Sequence, residues 1–327
     1  MKKKNGVKWI ALFCTLLMLV LVMLYSGLRM QEPTVFSHEQ EQQTAASKTI
    51  TRGGTDYFPR QDITVLMLLG IDQTGPMVDS GSYNNPGAAD VVMLVVFDES
   101  NESYSVLYLD RDTMLEIPVL GLGGKPAGST YGQLALAHGY GSGLEDSCEN
   151  VRKTLSDFLY GLHIDYYLSM NMDAIGILND AVGGVRVTVT DDFSAVDDSI
   201  PMGSVTLNAE QAVHFIRSRG NVGDELNRSR ILRQKEYLQS FAQNLKEQAE
   251  ENESFLVELY DRIAPYSVTD CTAGSLSALS EKFGSYSLQQ IVTPEGELVQ
   301  GEKYMEFYVD EEALDALILE LFYAPKK

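Results

Sequence analysis

Apolar residues are most concentrated in one uninterrupted run near the N-terminus, from Trp9 to Leu28. The run contains twenty residues and no charged side chain. A helix of that length, at a rise of ~1.5 Å per residue, crosses the roughly 30 Å hydrocarbon layer of a bilayer. Four lysines precede the run, and basic residues favour the cytoplasmic side of a membrane. The pattern therefore predicts a cytoplasmic tail over 1–8 and a transmembrane helix over 9–28, with the remainder outside the cell membrane.

A cleaved signal peptide is the alternative interpretation of this run. Signal peptides usually have a shorter apolar region, which is followed by a small-x-small cleavage site. Here the run ends in the segment Ser26 to Met30, which fits such a site poorly. We therefore favour an uncleaved, single-pass anchor. Residues 29–60 are rich in Gln, Glu, Ser and Thr and show no apolar period, which predicts an extracytoplasmic linker.

Beyond residue 60 the apolar positions follow strand-like and helix-like patterns in turn. Strands are predicted at 63–69, 91–97, 104–109, 164–169, 185–189 and 305–309. The first two are nearly continuous apolar segments, as in a sheet that is covered on both faces. Helical spacing predicts helices at 148–162, 172–182, from Asn208, at 228–249 and at 310–322. The mixture predicts an α/β or α+β fold with helices on both faces of the sheet.

The formal net charge of the chain is −21, and the four N-terminal lysines leave the remainder still more acidic. An acidic surface repels nucleic acid and anionic lipid headgroups, which argues against nucleic acid as a partner. An anionic substrate therefore needs a local basic site. A candidate exists, because five of the twelve arginines fall within seventeen residues: Arg217, Arg219, Arg228, Arg230 and Arg233.

This arginine cluster favours an anion-binding site. The planar guanidinium group binds phosphate or carboxylate oxygens in pairs. Arg230 and Gln234 are one helical turn apart on one face. That face borders an apolar stripe that includes Leu238, Phe241 and Leu245, so we expect both side chains to point toward a groove. The alternative is that each arginine pairs with surface Asp or Glu, which is common for a single arginine.

Two aspartates lie at the ends of predicted strands. Asp72 follows the first strand and Asp90 immediately precedes the second. These ends meet if the two strands are antiparallel neighbours joined by the Gly- and Pro-rich loop 73–87. Two carboxylates can hold Mg²⁺, which prefers oxygen ligands and keeps waters that phosphate oxygens displace. The alternative is that both are ordinary turn residues. Arg111 ends the third strand and either enters solvent or points to the same place.

Several other chemistries lack their sequence patterns. The histidines form no H-E-x-x-H pattern, and there is no G-x-S-x-G nucleophile elbow. Lys125 is followed by Pro126 where a phosphate loop needs Ser or Thr. Cys148 and Cys271 form no C-x-x-C, which excludes a zinc ribbon. In an extracytoplasmic domain these two cysteines either form a disulfide or remain separate thiols.

These residues, in this order after an anchor, resemble the LytR-CpsA-Psr family. The motifs are L-L-G-I-D at 68–72, A-D at 89–90, R-D-T at 111–113, V-G-G-V at 182–185, I-R-S-R at 216–219 and R-I-L-R-Q at 230–234. Each is short, but their joint order and spacing are specific. The resemblance implies an α/β sandwich around a mixed central sheet, with a hydrophobic pocket for a lipid tail. Residues 61–250 would form the catalytic domain, and 251–327 an extension packed on its core.

The resemblance also implies a function. Such proteins are membrane-anchored, extracytoplasmic phosphotransferases. They move a glycopolymer from a polyprenyl-pyrophosphate carrier onto peptidoglycan and release polyprenyl phosphate. Carried over to this sequence, Asp72 and Asp90 would hold Mg²⁺, and the pyrophosphate would be bound by Arg111, Arg217, Arg219, Arg230 and Gln234. This fits phosphoryl transfer in general, where arginine and Mg²⁺ stabilise the charge of the phosphates.

The chain departs from the family pattern near the expected catalytic residues, which are Arg111, Arg230 and a general base. The position before Arg111 is often proline in the family, but here it is Asp110. An aspartate three residues before Arg230 is common, but here the residue is Asn227. Asp224, in a longer loop over 220–227, is then the expected base, with Asp112 as the alternative. Two other functions stay open: a lipid-pyrophosphate phosphatase, and an anchored binding or regulatory protein without catalysis.

Overall fold

The structure is a computed structural model of the chain. It describes residues 49–218, 222, 233, 236–237, 239–241, 243–245, 247–248, 251–252, 254–272, 275, 278–279 and 282–326. Within these residues, no helix is both long and apolar enough to cross a membrane. The predicted transmembrane helix at 9–28 lies outside them, as do the N-terminal tail and most of the linker. All three stay predictions.

The strands of the described chain are numbered along the sequence. They are β1 (Ile50–Arg52), β2 (Thr55–Pro59), β3 (Ile63–Ile71), β4 (Ala89–Asp98), β5 (Ser103–Leu109), β6 (Met114–Leu120), β7 (Pro126–Gln133), β8 (Tyr166–Asn171), β9 (Val185–Val189), β10 (Gly203–Leu207), β11 (Ser267–Thr269), β12 (Ser287–Val292), β13 (Gly296–Gln300), β14 (Met305–Val309) and β15 (Tyr323–Pro325).

Six of these strands form a central sheet in the order β11-β8-β3-β4-β5-β12. The pairs β11–β8, β3–β4 and β4–β5 are antiparallel, whereas β8–β3 and β5–β12 are parallel. The sheet is therefore mixed, as predicted. Both edge strands come from the part of the chain after residue 250.

Helices cover both faces of this sheet, which confirms the second part of the fold prediction. The α-helices are α1 (Glu145–Phe158), α2 (Met172–Ala181), α3 (Ala209–Arg217), α4 (Phe255–Ile263) and α5 (Glu311–Phe322), and 3-10 helices lie at Leu122–Gly124, Leu134–Tyr140 and Ala264–Tyr266. One face is covered by α2, α3 and α4, together with the described residues Tyr237, Phe241 and Leu245. The other face is covered by α1, α5 and the 3-10 helix at 134–140.

The apolar strands supply both cores because their side chains alternate between the faces. In β3, Leu66 and Leu68 belong to the first core, while Val65, Met67 and Leu69 belong to the second. Each of these five side chains is at most 3% exposed. Burial on both faces explains why the sequence of this strand is almost continuously apolar.

Polar caps set the helix starts that the sequence predicts. The Asn208 side chain accepts a hydrogen bond from the Gln211 amide at 2.9 Å, and the Gln211 side chain accepts one from the Asn208 amide at 3.1 Å. This capping box fixes the beginning of α3. The predicted helix at 148–162 instead runs from Glu145 to Phe158. It starts earlier because the acidic residues Glu145 and Asp146 fill its first turn, where the helix dipole favours negative charge.

Several hairpins were not predicted. The antiparallel pairs β6–β7, β9–β10 and β13–β14 lie outside the central sheet, and β1, β2 and β15 form a further small sheet. Only β9 and β14 among these strands were expected from the sequence. The glycines Gly123 and Gly124, which precede Lys125, lie in the turn of the β6–β7 hairpin.

The two cysteines are separate thiols in the structure. Both are buried and free, and Cys148 belongs to one core while Cys271 belongs to the other. The sheet therefore lies between them, so the disulfide alternative is wrong for this structure. Burial raises the pKa of Cys148 to about 12 and that of Cys271 to about 11.

Candidate functional site

The two predicted metal-binding aspartates lie at the same end of the central sheet. Asp72 directly follows β3, and Asp90 is the second residue of β4. These strands are antiparallel neighbours, as expected, so the end of one meets the start of the other. The Asp72 amide donates a hydrogen bond to the Ala88 carbonyl at 2.9 Å, which extends the contact beyond the strands.

A β-bulge determines where Asp90 points. Gly70 pairs with Val91 and Ile71 pairs with Ala89, so Asp90 is the extra residue between two paired positions. Ala89 packs in the second core and Val91 against the first. Bulges re-aim side chains and are frequent next to active sites. The bulge thus frees Asp90 from the strict alternation of β4, while Ala89 stays buried.

Arg111 faces Asp90 across the next strand pair. Val92 pairs with Leu109, and continuing this antiparallel register places Asp90 opposite Arg111. The Arg111 guanidinium forms an ion pair with the Asp90 carboxylate. Its Nε lies 3.6 Å from the Asp112 carboxylate. Arg111 is therefore directed toward Asp90 and Asp112 and not into solvent alone.

The departure at Asp110 shapes the turn that carries Arg111. The Asp110 carboxylate accepts a hydrogen bond from the Asp112 amide at 2.9 Å. The Asp110 carbonyl accepts one from the Thr113 hydroxyl at 2.7 Å. An aspartate that binds the backbone two residues later forms an Asx turn. Asp110 thus holds this turn by its own side chain, where the family often has proline.

The fourth charged residue comes from α3, a helix that covers one face of the sheet. Arg217 is the last residue of α3, and its guanidinium donates to the Asp72 carboxylate at 2.6 Å. The two residues are 145 positions apart in the chain. Asp72, Asp90, Arg111 and Arg217 therefore form one charged group, which we call the Asp–Arg cluster.

Opposing effects act on the pKa of Asp90 within the Asp–Arg cluster. Burial raises the pKa of the Asp90 carboxyl, and the negative charge of Asp72 adds to this effect. The positive charges of Arg111 and Arg217 oppose it. The Asp90 carboxyl is thus close enough to all three other members for their charges to act on its pKa. A cation held near the two carboxylates would favour the charged form of Asp90.

The residues present fit a Mg²⁺ ion. Among the described residues there is no group of three or more His, Cys, Asp or Glu side chains that could hold a metal. Asp72 and Asp90 supply two carboxylates, and Mg²⁺ is usually bound through one or two carboxylates while waters and substrate phosphates complete its ligands. The oxygen-only pair therefore suits this ion, whereas Zn²⁺ sites usually include His nitrogen or Cys sulfur ligands.

A buried histidine, which no sequence motif marks, anchors the segment before Asp90. His138 is fully buried, and its Nδ1 donates to the Gly87 carbonyl at 2.9 Å. Burial lowers the pKa of His138, which keeps the ring neutral. Asn85 holds the same loop by donating to the carbonyls of His138 at 2.8 Å and Gly141 at 2.9 Å. The loop 73–87 is thus fastened at the end that leads into β4.

The remaining predicted site residues lie outside the described residues. They are Arg219, Asp224, Arg230 and Gln234, and Asn227 lies there too. Their roles stay predictions. Arg233, from the same arginine-rich segment, is described and is 4% exposed. It lies one helical turn before the buried Tyr237, and Phe241 and Leu245 continue this buried stripe.

Comparisons with known proteins identify relatives of this chain and structures with a similar fold. The model of the LytR_cpsA_psr family matches residues 24–321. The polyisoprenyl-teichoic acid–peptidoglycan teichoic acid transferase TagU of Bacillus mycoides is 28% identical over 173 residues, which are 51% of this chain and 49% of the relative. TagU of Oceanobacillus iheyensis is 27% identical over 178 residues, with 51% and 48% covered. The chain spans about half the length of the curated relatives it matches.

Solved structures share the fold. TagV of B. subtilis superposes with a TM-score of 0.57 at 20% identity, covering 80% of this chain and 96% of TagV. A structure described as TagT bound to LI-WTA gives a TM-score of 0.54 at 21% identity, covering 80% and 90%. Because the family model extends over most of the sequence and the fold agrees, the resemblance first seen in the short motifs is confirmed. The chain belongs to the LytR-CpsA-Psr family.

Proposed function

We propose that this protein is an extracytoplasmic phosphotransferase held at the cell membrane by its N-terminal helix. It transfers a glycopolymer from a polyprenyl-pyrophosphate carrier to peptidoglycan and releases polyprenyl phosphate. The TagU relatives are named as transferases of polyisoprenyl-linked teichoic acid to peptidoglycan, which supports a substrate pair of this class.

The observation that carries the proposal is the Asp–Arg cluster. In a chain with a net charge of −21, two arginines meet two aspartates from four separate elements at one end of the sheet. Arginine forks bind phosphate oxygens. In the cluster, the carboxylates hold the guanidinium groups in place before any substrate binds. Groups that are already oriented stabilise developing charge without a cost of reorganisation.

The reaction forms one bond and breaks one. A sugar hydroxyl of peptidoglycan attacks the phosphorus that carries the glycopolymer, and the bridging P–O bond to the polyprenyl phosphate breaks. The hydroxyl proton passes to a general base, for which Asp224 is the candidate. Arg111 and Arg217 bind the phosphate oxygens, assisted by Arg219, Arg230 and Gln234, and so stabilise the negative charge on the leaving phosphate.

Mg²⁺ bound by Asp72 and Asp90 would supply further neutralisation of the phosphate charge. Asp112 is the alternative candidate for the base. Its carboxylate accepts a hydrogen bond from Gln133 Nε2 at 2.8 Å and lies beside Arg111 Nε.

The test supplies a lipid-pyrophosphate glycan and peptidoglycan to the full chain in membranes and measures the covalent conjugate and the released lipid phosphate. Arg111→Ala should lower the rate of conjugate formation by about 10²–10³-fold, as for removal of one preorganised donor to a developing charge. Arg111→Lys should recover only part of this loss, because lysine lacks the fork.

The matched control is Arg52→Ala. Arg52 also forms an ion pair with an aspartate, Asp315. It belongs to β1, next to β2, which leads into the opposite end of β3 from Asp72. This control should keep wild-type activity. Lipid phosphate released without conjugate would instead establish hydrolysis, and binding of the lipid with neither product would establish a non-catalytic protein. Either result refutes the transfer reaction.

A further inference from the structure

One buried arginine has no part in the proposed reaction. Arg233 is 4% exposed in the first core. Its guanidinium forms an ion pair with Asp191 and lies over the Phe193 ring, with its centre 5.2 Å from the ring centroid. A buried charge is costly unless it is paired and its donors are satisfied. The acceptors of the Arg233 hydrogen bonds therefore indicate which part of the structure this side chain stabilises.

Those donors reach the C-terminal turn of α3. Arg233 Nε donates to the Phe215 carbonyl at 3.1 Å, and another nitrogen of the same group donates to the Ser218 carbonyl. The last carbonyls of a helix have no partner within the helix. Arg233 supplies partners from a different part of the chain, and the two carbonyls that it binds flank Arg217 on both sides.

A ring stack secures the same turn. Phe193 stacks on Phe215 with their centroids 5.6 Å apart and an interplanar angle of 22°. Phe193 thus contacts both the Arg233 guanidinium and α3. The Arg217 side chain projects from this fixed turn and donates to the Asp72 carboxylate at 2.6 Å. A shift of the helix end would move that guanidinium directly, because Arg217 is the final residue of α3.

We propose that Arg233 is a positioning residue: it fixes the end of α3 through the Phe215 and Ser218 carbonyls so that Arg217 binds phosphate within the Asp–Arg cluster. This inference rests on the proposed function, since it assigns Arg217 to phosphate binding. It predicts that Arg233 affects phosphate binding only through Arg217. A merely structural arginine would affect it independently of Arg217, or not at all.

The test is a double-mutant cycle between Arg233→Lys and Arg217→Ala in the full chain. Lysine keeps a positive charge beside Asp191 but cannot donate to both carbonyls from a rigid fork. Inorganic pyrophosphate serves as the probe, and its affinity is measured by calorimetry. Each single variant should lower the affinity about tenfold, the scale of one hydrogen bond to a charged group. The double variant should be no weaker than Arg217→Ala alone, because residues that act through one contact are not additive.

Arg60→Lys is the matched control. Arg60 is also a largely buried arginine, 16% exposed at its side chain, and pairs with Asp62 and Asp98. It precedes the start of β3 and so lies at the other end of the sheet from Asp72. The control should lower the melting temperature as Arg233→Lys does, and leave pyrophosphate affinity unchanged.

A second variant covers the case in which Arg233→Lys does not fold. Phe193→Leu removes the stacking ring without leaving an unpaired charge, and should give a smaller loss of affinity that also disappears in the Arg217→Ala background. Unchanged affinity, or equal losses in both backgrounds, would overturn the proposal. A wild type that binds pyrophosphate but forms no conjugate refutes the transfer reaction and leaves the cycle informative. A wild type that does not bind pyrophosphate refutes both.

Discussion

Gly70→Ala perturbs the bulge that carries Asp90 without touching a charged residue. A Cβ atom at position 70 would lie 3.0 Å from the Val91 Cβ and 3.2 Å from its Cγ2. Carbon atoms pack at about 3.5–4.0 Å, so Val91 must move by a few tenths of an ångström. The nearest atom is a Cβ next to the backbone and cannot rotate away. Val91 is half-buried and packs against the first core, which restricts this movement.

The expected cost is that of overpacking a core, about 1–3 kcal/mol in the free energy of unfolding. At about 2–4 °C for each kcal/mol in a protein of this size class, the melting temperature should fall by roughly 2–12 °C. Pyrophosphate affinity should fall as well, because Asp90 moves with β4 and its ion pair with Arg111 is disturbed. Thermal melts followed by circular dichroism and calorimetric titration measure the two effects separately.

Gly132→Ala in β7 is the matched control. A Cβ there meets no atom closer than 3.8 Å, so the change should alter neither property measurably. Adding Val91→Gly to Gly70→Ala should relieve the clash more than adding Val91→Ala, which keeps the offending Cβ. A Gly70→Ala protein as stable as the Gly132→Ala protein would refute the argument from close approach. A loss of stability with wild-type pyrophosphate affinity would refute the link between the bulge and the site.

Two further predictions follow from burial. Because burial and the charge of Asp72 raise the pKa of the Asp90 carboxyl, the folded state binds this proton more tightly than the unfolded chain does. The free energy of unfolding should therefore lose this contribution as pH rises from the ordinary pKa of 3.8 through the raised pKa of Asp90. Asp90→Asn should flatten this part of the stability profile and abolish transfer; thermal melts between pH 4 and 7 that match wild type would contradict it. Cys148 and Cys271 should resist alkylation at pH 8 in the folded protein and both react after unfolding, because burial raises the pKa of each thiol to about 12 and about 11. Intact mass after alkylation measures this, with Cys14→Ser as the background, and a Cys148–Cys271 disulfide under non-reducing conditions would be the contrary result.

The sequence by itself determined the elements whose side chains are sorted by burial. Strands β3 and β4 were predicted because a sheet covered on both faces requires apolar residues at successive positions. The start of α3 was predicted because a capping box is a local signal between Asn208 and Gln211. The antiparallel pairing of β3 and β4, from which the approach of Asp72 and Asp90 follows, was expected as a possibility and is confirmed.

Elements that depend on pairing and not on burial were missed. All five residues of β13 are exposed, so no apolar alternation marks it as a strand. β7 is glycine-rich and mostly exposed, and its strand structure comes from hydrogen bonds to β6. The edge strands β11 and β12 are partly exposed and were missed for the same reason. Their sequences resemble loops because the information lies in the partner strand.

The tertiary structure alone decided the partners of the charged residues. Composition revealed an excess of arginine but could not separate Arg217, which meets Asp72 from 145 positions away, from Arg233, which is buried against Asp191 and the end of α3. Periodicity describes which residues share a face of one element, whereas an ion pair depends on how two elements are oriented in space. That orientation is set by the packing of both cores against the sheet. The sequence could therefore name the charged groups, but only the folded chain shows which carboxylates and which backbone carbonyls each described arginine contacts.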